Sequence, residues 1–468
     1  MTQPDEGTPE LLRRTAELAI EYRAILPERP VHPSASIDQQ IDILGGALPE
    51  AGEDPVALIE RMARDVPPGL MAMPGPRFFG FVLGGAQPAA VAADWLMSVW
   101  GQNSPQAVIT PSAAAAERIA GDWLIDLFGL PPQSTVGFVT GGTMANFTAL
   151  ATARHAVLRA AGWDVEANGL QGAPALTVVA GADAHVTLFA ALRMVGLGAG
   201  TSRRVDVDDQ GRMRREELAR VLADISGPTI VCLQAGNVNS GAFDPFEDAI
   251  PLIREQLPDA WIHVDGAFGL WAAVSPTRRD LVAGVAGADS WSTDAHKFLN
   301  VPFDSGVIFV RDGAAHRAAM SMTASYLFFD AAHRDPGDYV PELSRRARGF
   351  PVYAALRSLG RAGVRELVDR CCDLALRFAR SLAEDPDVEI VNDVVLNQAL
   401  IRFDDSDERT RDVIARVQAD GTAWLAGATW NGRHVMRISV INWWTREGDI
   451  DASVDAVRRA LAAARASA

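Results

Sequence analysis

Lysine is almost absent from this sequence. Of its 43 lysine and arginine residues only one is a lysine, Lys297, and every other basic side chain belongs to an arginine. A guanidinium stays protonated and forms no imine, whereas a desolvated lysine amine can lose its proton and attack an aldehyde. The pattern indicates either a coding bias toward arginine or a need for an amine at position 297, and the neighbouring residues decide between them.

Cysteines and long apolar runs are also scarce. The three cysteines, Cys232, Cys371 and Cys372, form no CxxC pair and lack zinc-site spacing, so we expect buried thiols. No apolar run approaches the roughly 20 residues that cross a bilayer. The N-terminus has neither the basic region nor the apolar core of a secretory signal. We therefore expect a cytoplasmic protein with no membrane partner.

Basic patches are missing as well. The formal net charge is -16 and the arginines are scattered, which disfavours nucleic acid as a partner. The hydrophobic content of 48% and the charged content of 22% are typical of a soluble globular protein. A chain of 468 residues is long enough for two or three structural units and a buried cofactor.

Three segments of the chain differ in their patterns. Residues 1–79 contain helical stretches joined by proline-rich turns, which predicts an N-terminal helical arm. Residues 80–350 alternate short apolar strands with helical stretches, which predicts a large α/β domain with a mostly parallel sheet. Residues 351–468 begin with a long helix followed by strand-like segments, which predicts a smaller C-terminal α+β domain.

Two strands of the central segment end in residues suited to chemistry. The strand Trp261–Asp265 ends in a carboxylate at the edge where open α/β sheets bind ligands. A carboxylate there can keep a pyridine nitrogen protonated, and the following Gly266 and Ala267 leave space for a flat ring. A second short strand leads to His296 and Lys297. A lysine at the end of a buried strand is costly unless it is neutralised or covalently used.

A glycine-rich stretch is expected to bind phosphate. In residues 138–146, FVTGGTMAN, a strand-like start meets two glycines and then a helix. Backbone N–H groups at a helix N-terminus bind phosphate, and Thr143 adds a hydroxyl. The stretch lacks the GK[ST] of a nucleotide-binding P-loop. A second glycine run at 196–200 lacks dinucleotide-fingerprint spacing and is interpreted as a turn.

Three histidines lie near these motifs. His185 follows an apolar strand and precedes a helix, so it could stack on a ring at the sheet edge. His263 alternates with Asp265 on its strand and is interpreted as filling space below the site. A metal site of His263, Asp265 and His296 lacks the spacing of known zinc motifs, so we expect no metal. Phosphate loop, stacking histidine, strand aspartate and His-Lys pair together suit pyridoxal phosphate (PLP).

The chain resembles the group II PLP-dependent decarboxylases, which include aromatic-L-amino-acid, histidine, tyrosine and glutamate decarboxylases. The likeness spans nearly the whole chain. The matching motifs are PRFFGF at 76–81, TGGT at 140–143, DAH at 183–185, HVDGA at 263–267, DAHK at 294–297 and FD at 303–304. The resemblance implies the fold-type-I architecture with a mostly parallel seven-stranded sheet, and a homodimer.

The resemblance also implies roles for individual residues. Lys297 would form a Schiff base with PLP, Asp265 would pair with the pyridinium, and His185 would stack on the ring. His296 and Thr143 would help to bind the phosphate. The expected cofactor-binding residues are Gly142, Thr143, His185, Asp265, Ala267, Asp294, His296 and Lys297.

Tyr326, in the sequence TASYL, matches the local pattern of the family's catalytic tyrosine. That tyrosine lies on a mobile loop and is thought to protonate the carbon left after CO2 departs. A phenylalanine there is associated with oxidative aldehyde synthases, so Tyr326 favours simple decarboxylation. The polar segment 328–339 is typical of a lid. The expected catalytic residues are Lys297, His185, Tyr326 and Asp265.

The expected substrate pocket departs from the family pattern. Gly75 replaces the usual histidine of the entrance motif. An apolar wall could be formed by Phe78, Phe79, Phe81 and Trp100, and Arg77 could read a side-chain carboxylate. We expect decarboxylation of an L-amino acid to an amine and CO2, with aromatic substrates slightly favoured over acidic ones. Aldehyde synthesis, transamination and lyase chemistry are alternatives within the cofactor class, and a non-catalytic binding protein is an alternative outside it.

Overall fold

The computed structural model describes residues 7–322 and 333–467. The strands of these residues are β1 (Thr135–Val139), β2 (Thr177–Gly181), β3 (Arg203–Val205), β4 (Thr229–Gln234), β5 (Trp261–Asp265), β6 (Ser290–Asp294), β7 (Gly306–Val310), β8 (Val388–Ile390), β9 (Gln398–Phe403), β10 (Ala426–Trp430) and β11 (Arg433–Ser439). The helices are α1 (Thr8–Ile25), α2 (Ile37–Leu44), α3 (Pro55–Asp65), α4 (Pro88–Trp100), α5 (Pro111–Phe128), α6 (Gly142–Ala160), α7 (Val165–Asn168), α8 (Val186–Met194), α9 (Arg215–Ala223), α10 (Phe246–Gln256), α11 (Gly313–Met320), α12 (Gly349–Leu382), α13 (Asp407–Asp420) and α14 (Glu447–Ala466).

The larger sheet has seven strands in the order β1-β7-β6-β5-β4-β2-β3. The strands from β3 to β6 pair in parallel, whereas β7 pairs antiparallel with both β6 and β1. The carboxyl ends of β4, β5 and β6 therefore meet at one edge, where Asp265 lies between Gln234 and Ser292 in register. This confirms the α/β fold with a mostly parallel seven-stranded sheet.

Strand β4 explains why the sheet is buried on both faces. Its residues are apolar or uncharged and all six are buried. Successive side chains point to opposite faces of a strand. Ile230 and Cys232 accordingly pack with residues of α6 and α8, while Val231 and Leu233 pack with residues of α10 and α12. Helix layers on both faces are the arrangement that a parallel sheet requires.

The C-terminal part contains a second, smaller sheet. Its four strands are antiparallel in the order β10-β11-β9-β8, and α13 packs against them and against α14. The long helix α12 links the two sheets and is interrupted at Gly360, whose φ of 61° lies in the left-handed region that glycine tolerates. The smaller α+β unit therefore agrees with the predicted architecture.

The N-terminal helices lie outside the core. None of the residues in α1, α2 or α3 is buried. The segment between them is tied down by backbone hydrogen bonds from Val31 to Gly421 and from Ala72 to Val31. Among the helices of residues 7–322 and 333–467, none has the length and apolar character needed to cross a membrane.

Candidate active site

Lys297 lies in the turn that follows β6. Its Nζ atom is 2.9 Å from Oδ2 of Asp294, whose side chain is only 3% exposed. The Nζ atom also lies 5.7 Å from the centre of the Phe268 ring. The turn is held by Ser305, whose carbonyl accepts hydrogen bonds from the N–H groups of Ala295 and His296. The sole lysine of the sequence is thus fixed at the carboxyl edge of the sheet with a carboxylate partner.

Asp265 is the last residue of β5 and is buried at the same edge. Its Oδ2 atom accepts a hydrogen bond from Nδ2 of Asn146 at 2.9 Å, and Oδ1 accepts one from the Ala267 N–H at 3.2 Å. The carbonyl of Ala267 in turn accepts from the N–H of Asp294 at 2.9 Å. Ala267 therefore connects the Asp265 carboxylate to the turn that carries Lys297.

His185 precedes α8 and follows the carboxyl end of β2, so it shares this edge of the sheet. Its Nδ1 atom lies 2.7 Å from the Thr187 hydroxyl and accepts from the Thr187 N–H, so the ring proton belongs on Nε2. Burial lowers the pKa of His185, and the Asp265 charge only partly opposes that shift. His185 is thus neutral at pH 7, and it lines the same cavity as Asp265.

The glycine-rich stretch begins α6 beside the Lys297 turn. A Cβ atom on Gly142 would lie 3.1 Å from Oδ2 of Asp294, and one on Gly141 would lie 3.2 Å from Cε1 of His296. The first-turn N–H groups of a helix have no partner within the helix. Thr143 belongs to this first turn, so its N–H and hydroxyl are available to an anion. The structure brings together the residues that were predicted to bind phosphate.

The histidine next to Lys297 has one nitrogen engaged. Nδ1 of His296 accepts a hydrogen bond from the Ser305 N–H at 3.2 Å, and Nε2 lies 3.6 Å from Oδ1 of Asp294. Burial lowers the pKa of His296, with the Asp294 charge acting in the opposite direction. Its free Nε2 therefore remains a neutral donor near the α6 N-terminus.

The chemistry of these side chains fits PLP. An amine, a buried carboxylate, a neutral histidine and a helix N-terminus match an aldehyde, a pyridine nitrogen, an aromatic ring and a phosphate. Oδ1 of Asp294 is buried and has no hydrogen-bond partner among the described residues. Such an atom calls for a further donor in the site. Tyr326 lies outside the described residues.

The sequence predicted that Gly266 leaves space for a flat ring, but the structure gives a different reason for a glycine at this position. A Cβ atom there would lie 2.9 Å from Cβ of Leu270 and 3.1 Å from the carbonyl oxygen of Ser292. Glycine at this position therefore allows close packing inside the protein. The expectation that Gly266 provides space for a cofactor ring is wrong, whereas Ala267 is only partly buried.

Arg77 does not face the site as a free cation. Its Nε donates to the carbonyl of Thr422 at 2.7 Å and its Nη2 donates to the carbonyl of Pro27 at 2.6 Å. Its Nη1 lies 3.5 Å from Asp449. Because these groups take up its donors, the expectation that Arg77 reads a substrate carboxylate disagrees with the structure.

The three predicted phenylalanines have different environments. Phe78 and Phe79 are 2% and 1% exposed and pack in two hydrophobic clusters, so neither offers a free surface to a substrate. Phe81 is 57% exposed. Its carbonyl accepts from the Ser439 hydroxyl at 2.6 Å and from Nη2 of Arg437 at 3.4 Å. Of the expected apolar wall, Phe81 and Trp100, which is 48% exposed, have side chains open to contact.

Arg437 is a site residue that the sequence analysis missed. The positive charges of Arg437 and Lys297 both lower the pKa of His185. Nη1 of Arg437 donates to the carbonyl of Val238 at 2.9 Å, but its Nε is buried without a partner among the described residues. The signal that could have found it is an arginine between the buried apolar residues Met436 and Ile438 of β11.

Asn300 was also missed, although it holds the Lys297 turn in place. Its Oδ1 accepts from the N–H groups of Gly85 and Trp443 at 2.6 and 3.0 Å, and its Nδ2 donates to the carbonyl of Ile441 at 3.0 Å. It adopts a φ of 54°, which asparagine tolerates better than most residues. Asn300 thereby ties the turn to the N-terminal segment and to the C-terminal part.

Comparison with known proteins agrees with this arrangement. The family model of the pyridoxal-dependent decarboxylase conserved domain matches residues 38–404. The aromatic-L-amino-acid decarboxylase of Bacillus atrophaeus is 26% identical and covers 92% of this chain and 90% of its own length. Tryptophan decarboxylase 1 of Oryza sativa is 28% identical, with coverages of 92% and 88%. The acidic amino acid decarboxylase GADL1 of Homo sapiens is 27% identical, with coverages of 75% and 67%.

Solved structures share the fold along the whole chain. The Oryza sativa TDC with PLP and tryptamine superposes with a TM-score of 0.91 at 23% identity and covers 99% of both chains. The 4-hydroxyphenylacetaldehyde synthase of Rhodiola rosea has a TM-score of 0.87 at 21% identity, also over 99% of both chains. The family match covers more than half of the chain and confirms the predicted cofactor and carboxy-lyase class. The chain therefore belongs to the group II PLP-dependent decarboxylases.

Proposed function

We propose that the protein decarboxylates an aromatic L-amino acid to the corresponding amine and CO2, with PLP held at Lys297. The observation that carries this proposal is the convergence of the sole lysine, two aspartates and a neutral histidine beside the N-terminus of α6. These residues come from three strands that end at one edge of the sheet. Open α/β folds bind their ligands at this edge.

Each group of PLP has a matching residue. Lys297 would hold the aldehyde carbon covalently through Nζ, and Asp265 would face the ring nitrogen. His185 would lie against the ring, near Asp265 and Lys297, whose charges both act on it. Gly142 and Thr143 would bind the phosphate through the first turn of α6, together with His296. These roles agree with those implied by the sequence motifs.

PLP, when bound, supplies an electron sink for the electron pair left when the bond between Cα and the carboxylate of the substrate breaks. The protein's share is orientation and charge. Asp265, as a carboxylate, would keep a proton on the ring nitrogen. Arg437 would bind the substrate carboxylate through its unpaired Nε. Tyr326 would return a proton to the carbon that loses CO2.

Aromatic and acidic amino acids are the two substrate classes to compare. The preference for aromatic substrates is supported by two relatives whose names specify aromatic-L-amino-acid and tryptophan decarboxylation. It is also supported by the exposed Phe81 and by the hydrogen bonds that hold Arg77 to Thr422 and Pro27. One relative is named for acidic substrates, so the class is decided by experiment.

A panel of L-amino acids tests the proposal. Purified protein with added PLP is incubated with tryptophan, tyrosine, phenylalanine, glutamate and aspartate, and amine and CO2 are quantified. The account predicts equal amounts of amine and CO2 from an aromatic substrate and none from the Lys297→Ala variant. A product from glutamate or aspartate alone would overturn the substrate class. Keto acid without CO2 would overturn decarboxylation.

Aldehyde synthesis is the second candidate, because one structural neighbour is a 4-hydroxyphenylacetaldehyde synthase. The tyrosine at position 326 favours the amine as product. Oxygen uptake and aldehyde are measured beside the amine for the wild-type chain and for Tyr326→Phe. We expect amine from the wild type and an increased share of aldehyde from the variant. Aldehyde as the main wild-type product would favour the synthase.

We also propose that the protein acts as a homodimer. The N-terminal segment of residues 7–79 exposes large apolar side chains, among them Ile20, Ile37 and Leu48 at 66%, 76% and 93%. Helix α4 adds exposed Trp95 and Trp100. Apolar surface on this scale marks an interaction site. Mixing Lys297→Ala with Tyr326→Phe subunits should restore some activity if the Tyr326 loop serves the partner's site, and sedimentation should give a dimer.

A further inference from the structure

Asp265 is the end of a buried chain of hydrogen bonds. Asn146 donates from Nδ2 to Oδ2 of Asp265 at 2.9 Å. Oδ1 of Asn146 lies 2.8 Å from the Ser292 hydroxyl and 3.0 Å from Nε2 of His263. Nδ1 of His263 lies 3.0 Å from the Ser290 hydroxyl. Asn146, His263, Ser290 and Ser292 are each 0% exposed, so water does not compete for these groups.

The donors in this chain can point in only one direction. Nδ2 of Asn146 faces a carboxylate, so its Oδ1 must accept from both Ser292 and His263. His263 then carries its proton on Nε2, and its Nδ1 accepts from Ser290. The Ser290 oxygen itself accepts from Nε1 of Trp261 at 2.9 Å. Every hydrogen bond is therefore oriented toward Asp265.

His263 contributes to this chain as a neutral group. Burial lowers its pKa to about 4, against an upward effect of the Asp265 charge. At neutral pH it therefore donates one hydrogen bond from Nε2 without bringing a charge beside Asp265. Its position on β5, two residues before Asp265, was interpreted from the sequence as simple filling of space, and the hydrogen bonds correct that interpretation.

We propose that Asn146, oriented by His263 and Ser292, is a positioning residue that fixes the orientation of the Asp265 carboxylate toward the cofactor's ring nitrogen. A carboxylate held in this orientation keeps a proton on that nitrogen. The inference rests on the proposed function, since it requires PLP above Asp265. None of the three residues touches the reacting atoms, so they act through Asp265.

The test uses PLP labelled with ¹⁵N at the ring nitrogen. Its chemical shift reports the protonation of that nitrogen in the bound state, and equilibrium dialysis gives the Kd for PLP. His263→Leu removes the donor to Asn146. His263→Gln keeps an amide N–H at the same distance along the side chain and is the conservative rescue. Thr152→Val is the matched control, because it removes a buried hydroxyl that hydrogen-bonds only within α6.

We expect His263→Leu to weaken PLP binding roughly threefold to tenfold, as for the loss of one neutral hydrogen bond. The ¹⁵N shift should move toward that of unprotonated pyridine. His263→Gln and Thr152→Val should behave like the wild type in both measurements. If His263→Leu fails to fold, Ser292→Ala removes the other donor to the same oxygen of Asn146 and should move both quantities in the same direction.

An unchanged ¹⁵N shift in a folded, PLP-binding His263→Leu or Ser292→Ala chain would overturn the inference. Equal changes in Thr152→Val would also overturn it, because they would indicate a general loss of packing. Failure of the proposed function is recognisable separately, since the wild-type chain would then show no PLP bound at Lys297.

Discussion

The Nζ atom of Lys297 and the Oδ2 atom of Asp294 lie 2.9 Å apart, and the carboxylate is almost fully buried. A carboxylate at this distance holds the lysine amine in an ion pair. On the proposed function, the amine has to leave this pair before it attacks the aldehyde of PLP. We therefore infer that Asp294 controls how readily Lys297 reacts, in addition to its place beside Gly142.

The first prediction concerns this pair. In apoprotein, Asp294→Asn should accelerate imine formation severalfold at pH 7, because the amine is no longer held in an ion pair with the carboxylate. Stopped-flow absorbance with pyridoxal, which lacks a phosphate, separates this effect from charge repulsion of the phosphate. A rate equal to or below that of the wild type would contradict the role given to Asp294.

Two glycines should respond differently to alanine. The atoms nearest to the added Cβ of Gly142→Ala belong to the Asp294 carboxylate, at 3.1 Å, so we expect PLP affinity to fall at least tenfold with little change in melting temperature. The Cβ of Gly306→Ala would lie 2.5 Å from the Gly141 backbone, so that variant should lose thermal stability. Calorimetry and PLP titration of both variants check this contrast, and equal responses would contradict it.

Arg437→Gln should raise KM roughly 10- to 100-fold, the loss expected for a hydrogen bond to a charged group. PLP affinity should stay within about twofold of the wild type. Arg433→Gln is the control, because Arg433 lies on the same strand but pairs with the exposed Glu389. An unchanged KM in Arg437→Gln would show that this arginine does not bind the substrate carboxylate.

Stability should fall as the pH drops from 7 to 5. Burial lowers the pKa of His263 to about 4 and that of His316 to about 3, from 6.5 in the unfolded chain. Between these values only the unfolded chain binds the protons, so each histidine removes about 1.4 kcal/mol per pH unit of acidification. Urea unfolding at pH 7, 6 and 5 measures the slope, and a flat profile would contradict the assignment.

Protonation of Asp244 has the opposite effect on folding stability to protonation of the two histidines. Burial raises the pKa of Asp244 to about 6 from 3.8. The folded chain therefore binds a proton that the unfolded chain releases between these values, which offsets one histidine. Asp244→Asn should consequently make the decline of stability between pH 6 and pH 5 steeper than in the wild type. The same urea series on this variant provides the comparison.

Much of the fold could be predicted because its patterns are local. Strands β5 and β7 begin and end where their apolar runs do, and a strand ending in Asp265 is visible without any tertiary information. Strand β3 has no such pattern, because it is only three residues long and two of them are exposed arginines. Short exposed strands carry little hydrophobic pattern.

Site residues could be predicted where the local sequence alone identifies them, but not where their role depends on partners far along the chain. Lys297 was identifiable as the one lysine. The roles of Arg77 and Asn146 depend on partners far along the chain, such as Thr422 and Asp265, which lie 345 and 119 residues away. No periodicity reveals such pairs. Burial by a distant part of the chain likewise removed Phe78 and Phe79 from the expected pocket.

The central claim is that Lys297 holds the cofactor. A protease that cleaves after lysine has one site in this chain, after residue 297. The protein is incubated with PLP, reduced with borohydride, denatured, digested and weighed by mass spectrometry. A pyridoxyl group on Lys297 blocks the only site, so the account predicts one intact, heavier chain, whereas protein treated without PLP gives fragments 1–297 and 298–468. Complete cleavage after PLP and borohydride would contradict the account.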